Sequence, residues 1–78
     1  MDEIRTSSDA VKGRRPAFKE LDDVALAAPV YVKVANRELP AGARGTVVGV
    51  WGDGDAFEVE FISPFECLIT VRAEGLAA

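Results

Sequence analysis

The sequence predicts a mainly all-β protein, a small and strongly bent antiparallel barrel of four or five short strands. Two β-rich runs flank the dipeptide Asp53-Gly54, which is a strong signal for a β-hairpin. Residues 30–35 and 66–72 alternate between apolar and polar side chains, as half-buried strands do. Glycine and proline interrupt the chain between these runs, so we expect short strands joined by turns.

Composition limits the protein to one small domain. The chain has 78 residues, one cysteine and no histidine, and its net charge is −4. We therefore expect no intrachain disulfide, no Cys/His zinc site and no histidine-dependent catalysis. No apolar run approaches the ~20 residues needed to cross a bilayer, and the first residues do not resemble a signal peptide. These features predict a cytoplasmic protein with no membrane partner.

Residues 1–17 are predicted to form a disordered or extended flexible tail, and residues 18–78 the barrel domain. The tail has too little apolar surface to offset the entropy of ordering it. Residues 1–20 hold five basic and four acidic side chains, whereas the remainder holds four basic and nine acidic ones. The acidic domain argues against broad nucleic-acid binding, which depends on neutralising phosphates.

The segments before the hairpin differ in how clearly they can be assigned. Residues 18–28 fit either a turn of helix or an extended lead-in that covers one open end of the sheet, and Pro29 closes the segment. Residues 30–35 are predicted to form a strand in which Val30, Val32 and Val34 share one face. Residues 36–45 are predicted to form a loop, from which Leu39 fills the core.

The hairpin at residues 45–61 organises the rest of the chain. We expect Asp53 and Gly54 to form a two-residue type I′ turn, which fixes the strand register. The residues that this register turns toward the core are Val48, Val50, Phe57, Val59 and Phe61. The pairs that it places on the outer face are Trp51 with Ala56, Gly49 with Glu58 and Val47 with Glu60.

The last strand is predicted at residues 66–72, after a turn at Ser63-Pro64. The alternation puts Cys67, Ile69 and Val71 on one face and Leu68, Thr70 and Arg72 on the other. Residues 73–76 are predicted to end the domain as a single 3₁₀ turn, with Leu76 capping the core.

Three stretches of the chain carry a family resemblance. They read Leu21-Asp-Asp-Val-Ala-Leu26, Leu39-Pro-Ala-Gly-Ala-Arg-Gly-Thr-Val-Val-Gly-Val-Trp51 and Asp53-Gly-Asp-Ala-Phe-Glu-Val-Glu-Phe61. Together they resemble a family of small bacterial proteins, the domain of unknown function numbered 4926 in its series. The resemblance spans residues 18–76. It implies an SH3-like small barrel in a bacterial cytoplasmic protein, with no established activity and no catalytic residue to carry over.

The candidate interaction surface lies on the outside of the barrel. Its members are Tyr31, Val47, Trp51, Glu58, Glu60 and Phe65. Trp51 is central, because a large aromatic side chain is costly to leave in water. Three interpretations of Trp51 are open: cover from residues 18–26 or the C-terminal turn, an interface between copies, and a groove for a peptide or other ligand.

The residues that could carry chemistry have simpler explanations. Asp53 and Asp55 suit a turn, and Glu58 and Glu60 suit a solvated strand face, so we expect no metal site. Cys67 is in phase with the apolar face of its strand, which predicts a small buried hydrophobe rather than a nucleophile. We therefore expect neither a cofactor nor enzymatic activity.

These observations favour a non-enzymatic interaction module that self-associates as a homo-oligomer and acts through protein–protein contact. One alternative is a small nucleic-acid-binding barrel that uses the basic tail residues Lys12, Arg14 and Arg15 together with Lys33 and Arg44. Another alternative is an accessory subunit of a larger complex.

Overall fold

A computed structural model describes residues 17–78 of the chain. These residues contain seven β-strands, two short 3₁₀ turns and no α-helix. The strands are β1 (Asp23–Leu26), β2 (Val30–Val32), β3 (Arg37–Leu39), β4 (Arg44–Trp51), β5 (Ala56–Phe61), β6 (Cys67–Arg72) and β7 (Leu76–Ala77). The 3₁₀ turns are Lys33–Ala35 and Ala73–Gly75. Residues 1–16, and with them nearly all of the predicted tail, lie outside the described residues.

Five of the strands form one antiparallel sheet in the order β6-β5-β4-β1-β7, and β2 and β3 form a separate hairpin. The larger sheet curls into a half-barrel. Curling lets a small sheet enclose the side chains of one face, because the concave side surrounds them. The predicted all-β class is confirmed, and the fold is compatible with an SH3-like small barrel.

The core lies inside the curl, and each of the seven strands contributes to it. The buried apolar side chains are Val24, Leu26, Val32, Leu39, Val47, Phe57, Val59, Phe61, Val71 and Leu76. The ring of Phe18 packs edge-on against Phe57, with 5.5 Å between the ring centroids. Leu39 and Leu76 are buried as predicted.

Residues 18–28 form a turn followed by strand β1, so the extended interpretation of this segment is correct and the helical one is wrong. In the turn, the Asp22 carboxylate accepts hydrogen bonds from the Lys19 backbone N–H at 3.0 Å and from its ammonium group at 3.2 Å. β1 then pairs with β4 on one side and with β7 on the other. The segment is therefore an inner strand of the sheet rather than a cover over its end.

The predicted strand at residues 30–35 is too long, and the predicted loop at residues 36–45 contains a strand. Strand β2 ends at Val32, and the 3₁₀ turn that follows carries Val34 into solvent, where it is 97% exposed. Asn36 adopts the left-handed conformation with φ 52° and reverses the chain. Residues 37–39, predicted as loop, can then pair with β2 as strand β3.

The predicted register of β4 and β5 is confirmed near the turn and wrong beyond it. Trp51 pairs with Ala56 and Gly49 with Glu58, as predicted. A β-bulge between Gly49 and Val47 then shifts β4 by one residue. Val47 consequently pairs with Val59 inside the core instead of lying outside beside Glu60.

The bulge suits a strand of a sheet that curls around its core. A Cβ on Gly45 would lie 2.7 Å from Val59 Cγ1 and 2.8 Å from the Glu60 carbonyl oxygen, so β4 and β5 approach closely here. A bulge adds one residue and increases the local twist, which is how a strand follows a tight curve. As a result Val48 is only half-buried, and its predicted place in the core is wrong. Val50 keeps its predicted pairing with Phe57 but lies next to the end of β4 and is 38% exposed, so its predicted burial is also wrong.

The β4–β5 turn spans residues 52–55 and is not the predicted type I′ turn. The Trp51 carbonyl oxygen accepts hydrogen bonds from the N–H groups of Gly54 at 3.2 Å and Asp55 at 3.1 Å. Gly54 has a positive φ of 102°, but Asp53 does not have a positive φ, and a type I′ turn needs one at both central residues.

The C-terminal part of the domain agrees with the sequence pattern. Cys67, Ile69 and Val71 lie opposite Phe61, Val59 and Phe57 of β5 and face inward. The other face of β6 carries Leu68, Thr70 and Arg72, which are exposed. The predicted 3₁₀ turn is Ala73–Gly75.

Candidate interaction surface

The outer face of the five-stranded sheet, the side turned away from the core, is built from alternate residues of β4, β5 and β6. The strand register arranges these residues in three rows. The rows are Trp51, Ala56 and Arg72; then Gly49, Glu58 and Thr70; then Thr46, Glu60 and Leu68.

Trp51 is the largest side chain of the outer face, and 55% of it is exposed. Its cross-strand neighbour is Ala56, whose methyl group can cover little of the indole. Beyond Ala56 lies Arg72, whose Nε donates a hydrogen bond to Glu74 Oε2 at 3.0 Å. Neither residues 18–26 nor the C-terminal turn encloses the indole, so the part of the chain that the structure describes leaves it open to a partner.

Glu58 occupies the centre of the outer face. A Cβ on Gly49 would lie 3.3 Å from Glu58 Oε1, so the Glu58 side chain fills the space above the glycine and is half-buried there. Glu60, in the next row, is exposed. Trp51 and Leu68 therefore lie at diagonally opposite corners of the rows, with a carboxylate between them.

An open cavity of about 170 Å³ lies beside the outer face, where β1 and β4 approach the segment after β5. Its charged lining residues are Asp23, Arg44 and Glu60, so two negative charges accompany one positive charge. A nucleic acid would gain little binding energy from this lining, because its phosphates would face two negative charges and one positive charge. Arg44 therefore does not favour the nucleic-acid alternative, and the tail residues Lys12, Arg14 and Arg15 lie outside the described residues.

The six residues of the predicted interaction surface are not brought together. Trp51, Glu58 and Glu60 share the outer face, as their positions in the hairpin predict. Val47 is fully buried because of the bulge, so its predicted place on the surface is wrong.

The two aromatic members of the predicted surface lie elsewhere. Tyr31 is exposed, but it belongs to β2 in the separate hairpin, where its hydroxyl donates a hydrogen bond to the side-chain oxygen of Asn36. Phe65 is half-buried against the core, and the Arg37 guanidinium lies over its ring at 4.3 Å from the centroid. Neither residue adds to the surface around Trp51.

The structure also exposes large apolar side chains that were not assigned to a surface from the sequence. They include Leu21, Val34, Ile62 and Leu68. The exposure of Leu68 could be predicted from the sequence, because the alternation along residues 66–72 already turns it outward. The exposure of Leu21 and Val34 could not be predicted, because the backbone of their turns, rather than any apolar pattern, turns them into solvent.

The chemistry available in residues 17–78 is limited. Cys67 faces inward, and burial raises the pKa of its thiol, so the thiol is protonated and a poor nucleophile at neutral pH. No group of three or more Cys, Asp or Glu side chains in this range could hold a metal ion.

The fold and the outer face define a class of protein, the small antiparallel β half-barrel with an exposed sheet face, which is compatible with an SH3-like barrel. Residues 20–74 match the model of a domain of unknown function, DUF4926. Because this match covers more than half of the chain, the protein belongs to the DUF4926 family. No curated protein and no solved structure matches the chain significantly. Residues 17–78 contain no helix long and apolar enough to span a membrane.

Proposed function

We propose that this protein is a small non-enzymatic interaction module that self-associates through its five-stranded sheet. The observation that carries the proposal is the exposure of two large apolar side chains, Trp51 and Leu68, on a sheet whose outer face no described element covers. Aromatic side chains such as that of Trp51 are enriched in protein–protein contacts relative to the rest of a protein surface.

The size of the domain supports the same proposal. A chain of 78 residues buries a modest fraction of its surface, and small domains usually gain stability from disulfides, metals or association. A single cysteine cannot form an intrachain disulfide, so association is the source of added stability that suits this composition. A lone cysteine also suits a reducing compartment, and together with the bacterial family resemblance it supports a proposed location in the bacterial cytoplasm.

The non-enzymatic part of the proposal is argued from the types of side chain that the protein contains. The chain has no histidine, and the Cys67 thiol is held protonated by burial. On the outer face Glu58 lies opposite Gly49 and Thr70, and Glu60 lies opposite Thr46 and Leu68. If the protein binds a different protein, we expect that contact to use the outer face of the five-stranded sheet.

Self-association can be tested by size-exclusion chromatography with light scattering, from about 10 µM to about 500 µM. We expect the measured mass to rise with concentration from that of one chain, 8.3 kDa, toward twice that value. A mass that stays at one chain at every concentration would contradict the proposal.

Val34→Asp is the matched control for a contact made by the sheet. Val34 is exposed in the 3₁₀ turn between β2 and β3, outside the five-stranded sheet, so the substitution should leave the mass profile unchanged. Loss of association in this variant, with the strand signal in circular dichroism retained, would place the contact on the β2–β3 hairpin instead.

A further inference from the structure

The five-stranded sheet ends in two edges of different length. β7 forms one edge with two residues, and β6 forms the other with six. Natural edge strands are commonly protected by shortness, by proline or charged side chains, or by a bulge. β6 reads Cys-Leu-Ile-Thr-Val-Arg and has an unbroken register with β5, so its one protection of this kind is the charge of its last residue, Arg72.

The hydrogen-bonding groups of β6 that face away from β5 belong to its even-numbered residues. The Ala73 N–H donates to the Asp55 carbonyl oxygen at 3.1 Å, and hydrogen-bonded pairs alternate along an antiparallel ladder. The N–H and C=O groups of Leu68 and Thr70, and the N–H of Arg72, therefore point to the open edge, where β6 pairs with no other described strand. The Arg72 carbonyl instead accepts the first hydrogen bond of the 3₁₀ turn Ala73–Gly75.

We propose that a second copy of the chain pairs with this edge, β6 against β6 and antiparallel, with Ile69 of each copy at the two-fold axis. The pairing joins the two sheets into one continuous sheet and makes their outer faces contiguous. This inference rests on the self-association proposed above, and it adds the location and the register of the contact.

The register follows from side-chain alternation and charge. Outer faces stay on the same side when a residue of β6, rather than the gap between two residues, lies at the axis, because the paired residues then share a face. The registers with Leu68, Ile69 or Thr70 at the axis are of this kind. With Ile69 at the axis, Glu66 of each copy lies opposite Arg72 of the other, and both side chains are exposed. Opposite charges directly across two strands are stabilising.

The other two registers are less favourable. With Thr70 at the axis, Glu66 would lie opposite Glu74 of the second copy, and like charges facing each other are destabilising. With Leu68 at the axis, Arg72 would lie opposite Pro64, which has no N–H to donate.

Charge also favours a second copy over an unrelated extended peptide. A strand with an acidic residue before its start and a basic residue at its end is complementary to its own reversed copy, because each end meets the opposite charge. Arg72 uses Nε for Glu74, which leaves its other guanidinium N–H groups for Glu66.

Leu68, 58% exposed in one chain, gains Thr70 of the second copy as a neighbour. The contact is small, so we expect weak association.

A charge-reversal cycle tests this register. Glu66→Lys places a lysine opposite Arg72 of the second copy, and Arg72→Glu places a glutamate opposite Glu66. Each single substitution should weaken the dimer about tenfold, because two symmetry-related pairs become repulsive. The double variant Glu66→Lys/Arg72→Glu should restore the dissociation constant of the parent, measured by sedimentation equilibrium.

Two control variants separate the edge from the rest of the molecule. Glu20→Lys makes the same charge change in the turn before β1, on the far side of β4 from β6, and should leave the dissociation constant unchanged. Val34→Asp should also leave it unchanged, because Val34 lies between β2 and β3, outside the five-stranded sheet. Circular dichroism checks that each variant keeps its strands.

Each other outcome overturns the inference in a different way. Tighter association of Glu66→Lys would indicate the register with Thr70 at the axis. Insensitivity to all three edge variants would place the contact elsewhere on the sheet and leave the proposed function intact. Loss of the dimer in Val34→Asp would place the contact on the β2–β3 hairpin. A monomer at every concentration would remove both proposals and leave the edge to a strand of another protein.

Discussion

Leu21 holds an unusual backbone conformation for its side chain. Its φ of 74° lies in the left-handed region, which costs a non-glycine residue about 1–2 kcal/mol. Its side chain is largely exposed, so burial returns little of that cost. The hydrogen bonds around the turn maintain this conformation, since the Leu21 N–H donates to the Val47 carbonyl oxygen at 2.7 Å and the Val47 N–H donates to the Asp22 carbonyl oxygen at 2.9 Å.

Leu21→Gly should therefore stabilise the protein. Glycine adopts positive φ without strain, and after its larger loss of chain entropy we expect the free energy of unfolding to rise by up to about 1 kcal/mol. Urea denaturation measures the change. Val34→Gly is the control, because Val34 is equally exposed but has no positive φ, and it should bring no gain. Lower stability of Leu21→Gly would mean that the leucine side chain makes a needed contact.

Asp22 links stability to pH. The Lys19 backbone N–H, and after it the Lys19 side chain, lower the pKa of the Asp22 carboxyl below its usual range. A carboxyl with a lower pKa in the folded chain stabilises the fold above its unfolded pKa of about 4, and this contribution is lost as the pH falls through the folded pKa. Asp22→Asn should then be less stable than the parent at neutral pH, and the difference should shrink in acid.

Thermal unfolding between about pH 2 and pH 7 measures this pH dependence. Asp53→Asn, a substitution of the same kind in the exposed turn between β4 and β5, is the control. A difference between Asp22→Asn and the parent that is constant with pH would show that the carboxylate charge is not what matters in this turn.

At the scale of the elements, the bend of β4 depends on Gly45. An alanine Cβ there would approach Val59 Cγ1 and the backbone oxygen of Glu60 to less than 3 Å, and backbone cannot move aside as a side chain can. We expect Gly45→Ala to lower the free energy of unfolding by about 1–3 kcal/mol. Gly49→Ala is the matched control, because its Cβ would meet only the mobile end of Glu58 at 3.3 Å. Equal losses in the two variants would contradict this account of the bend.

The same strand shows how far its pattern can be interpreted from sequence. The register next to the turn could be predicted, because the position of Trp51 and the alternation of apolar and polar residues in β5 are compatible with one pairing of β4 and β5. The bulge was not, because Val47 and Val48 are the same residue type and the apolar pattern does not say which of them faces inward. Similarly, the alternation at Val30 and Val32 continues to Val34 although the strand has ended, since the backbone turn that follows leaves no apolar signature.

At the scale of the whole molecule, the core was easier to predict than the surface. Phe57, Val59, Phe61, Leu39 and Leu76 are buried as the pattern requires, because burial follows from local alternation and apolar content. The proposed surface residues depend instead on how separate elements are placed. The β2–β3 hairpin is separate from the large sheet, and no spacing in the sequence shows that this separates Tyr31 from Trp51.

The exposure of Trp51 also determines what the fluorescence of this protein reports. Trp51 is the single tryptophan of the chain, and 55% of it is already exposed in the folded state. Unfolding should therefore shift its emission maximum less than it would for a buried tryptophan. Anything that covers the outer face should shift the emission to shorter wavelength, whereas pairing at β6, two strands away, should not. The protein thus carries an intrinsic optical probe of its outer face.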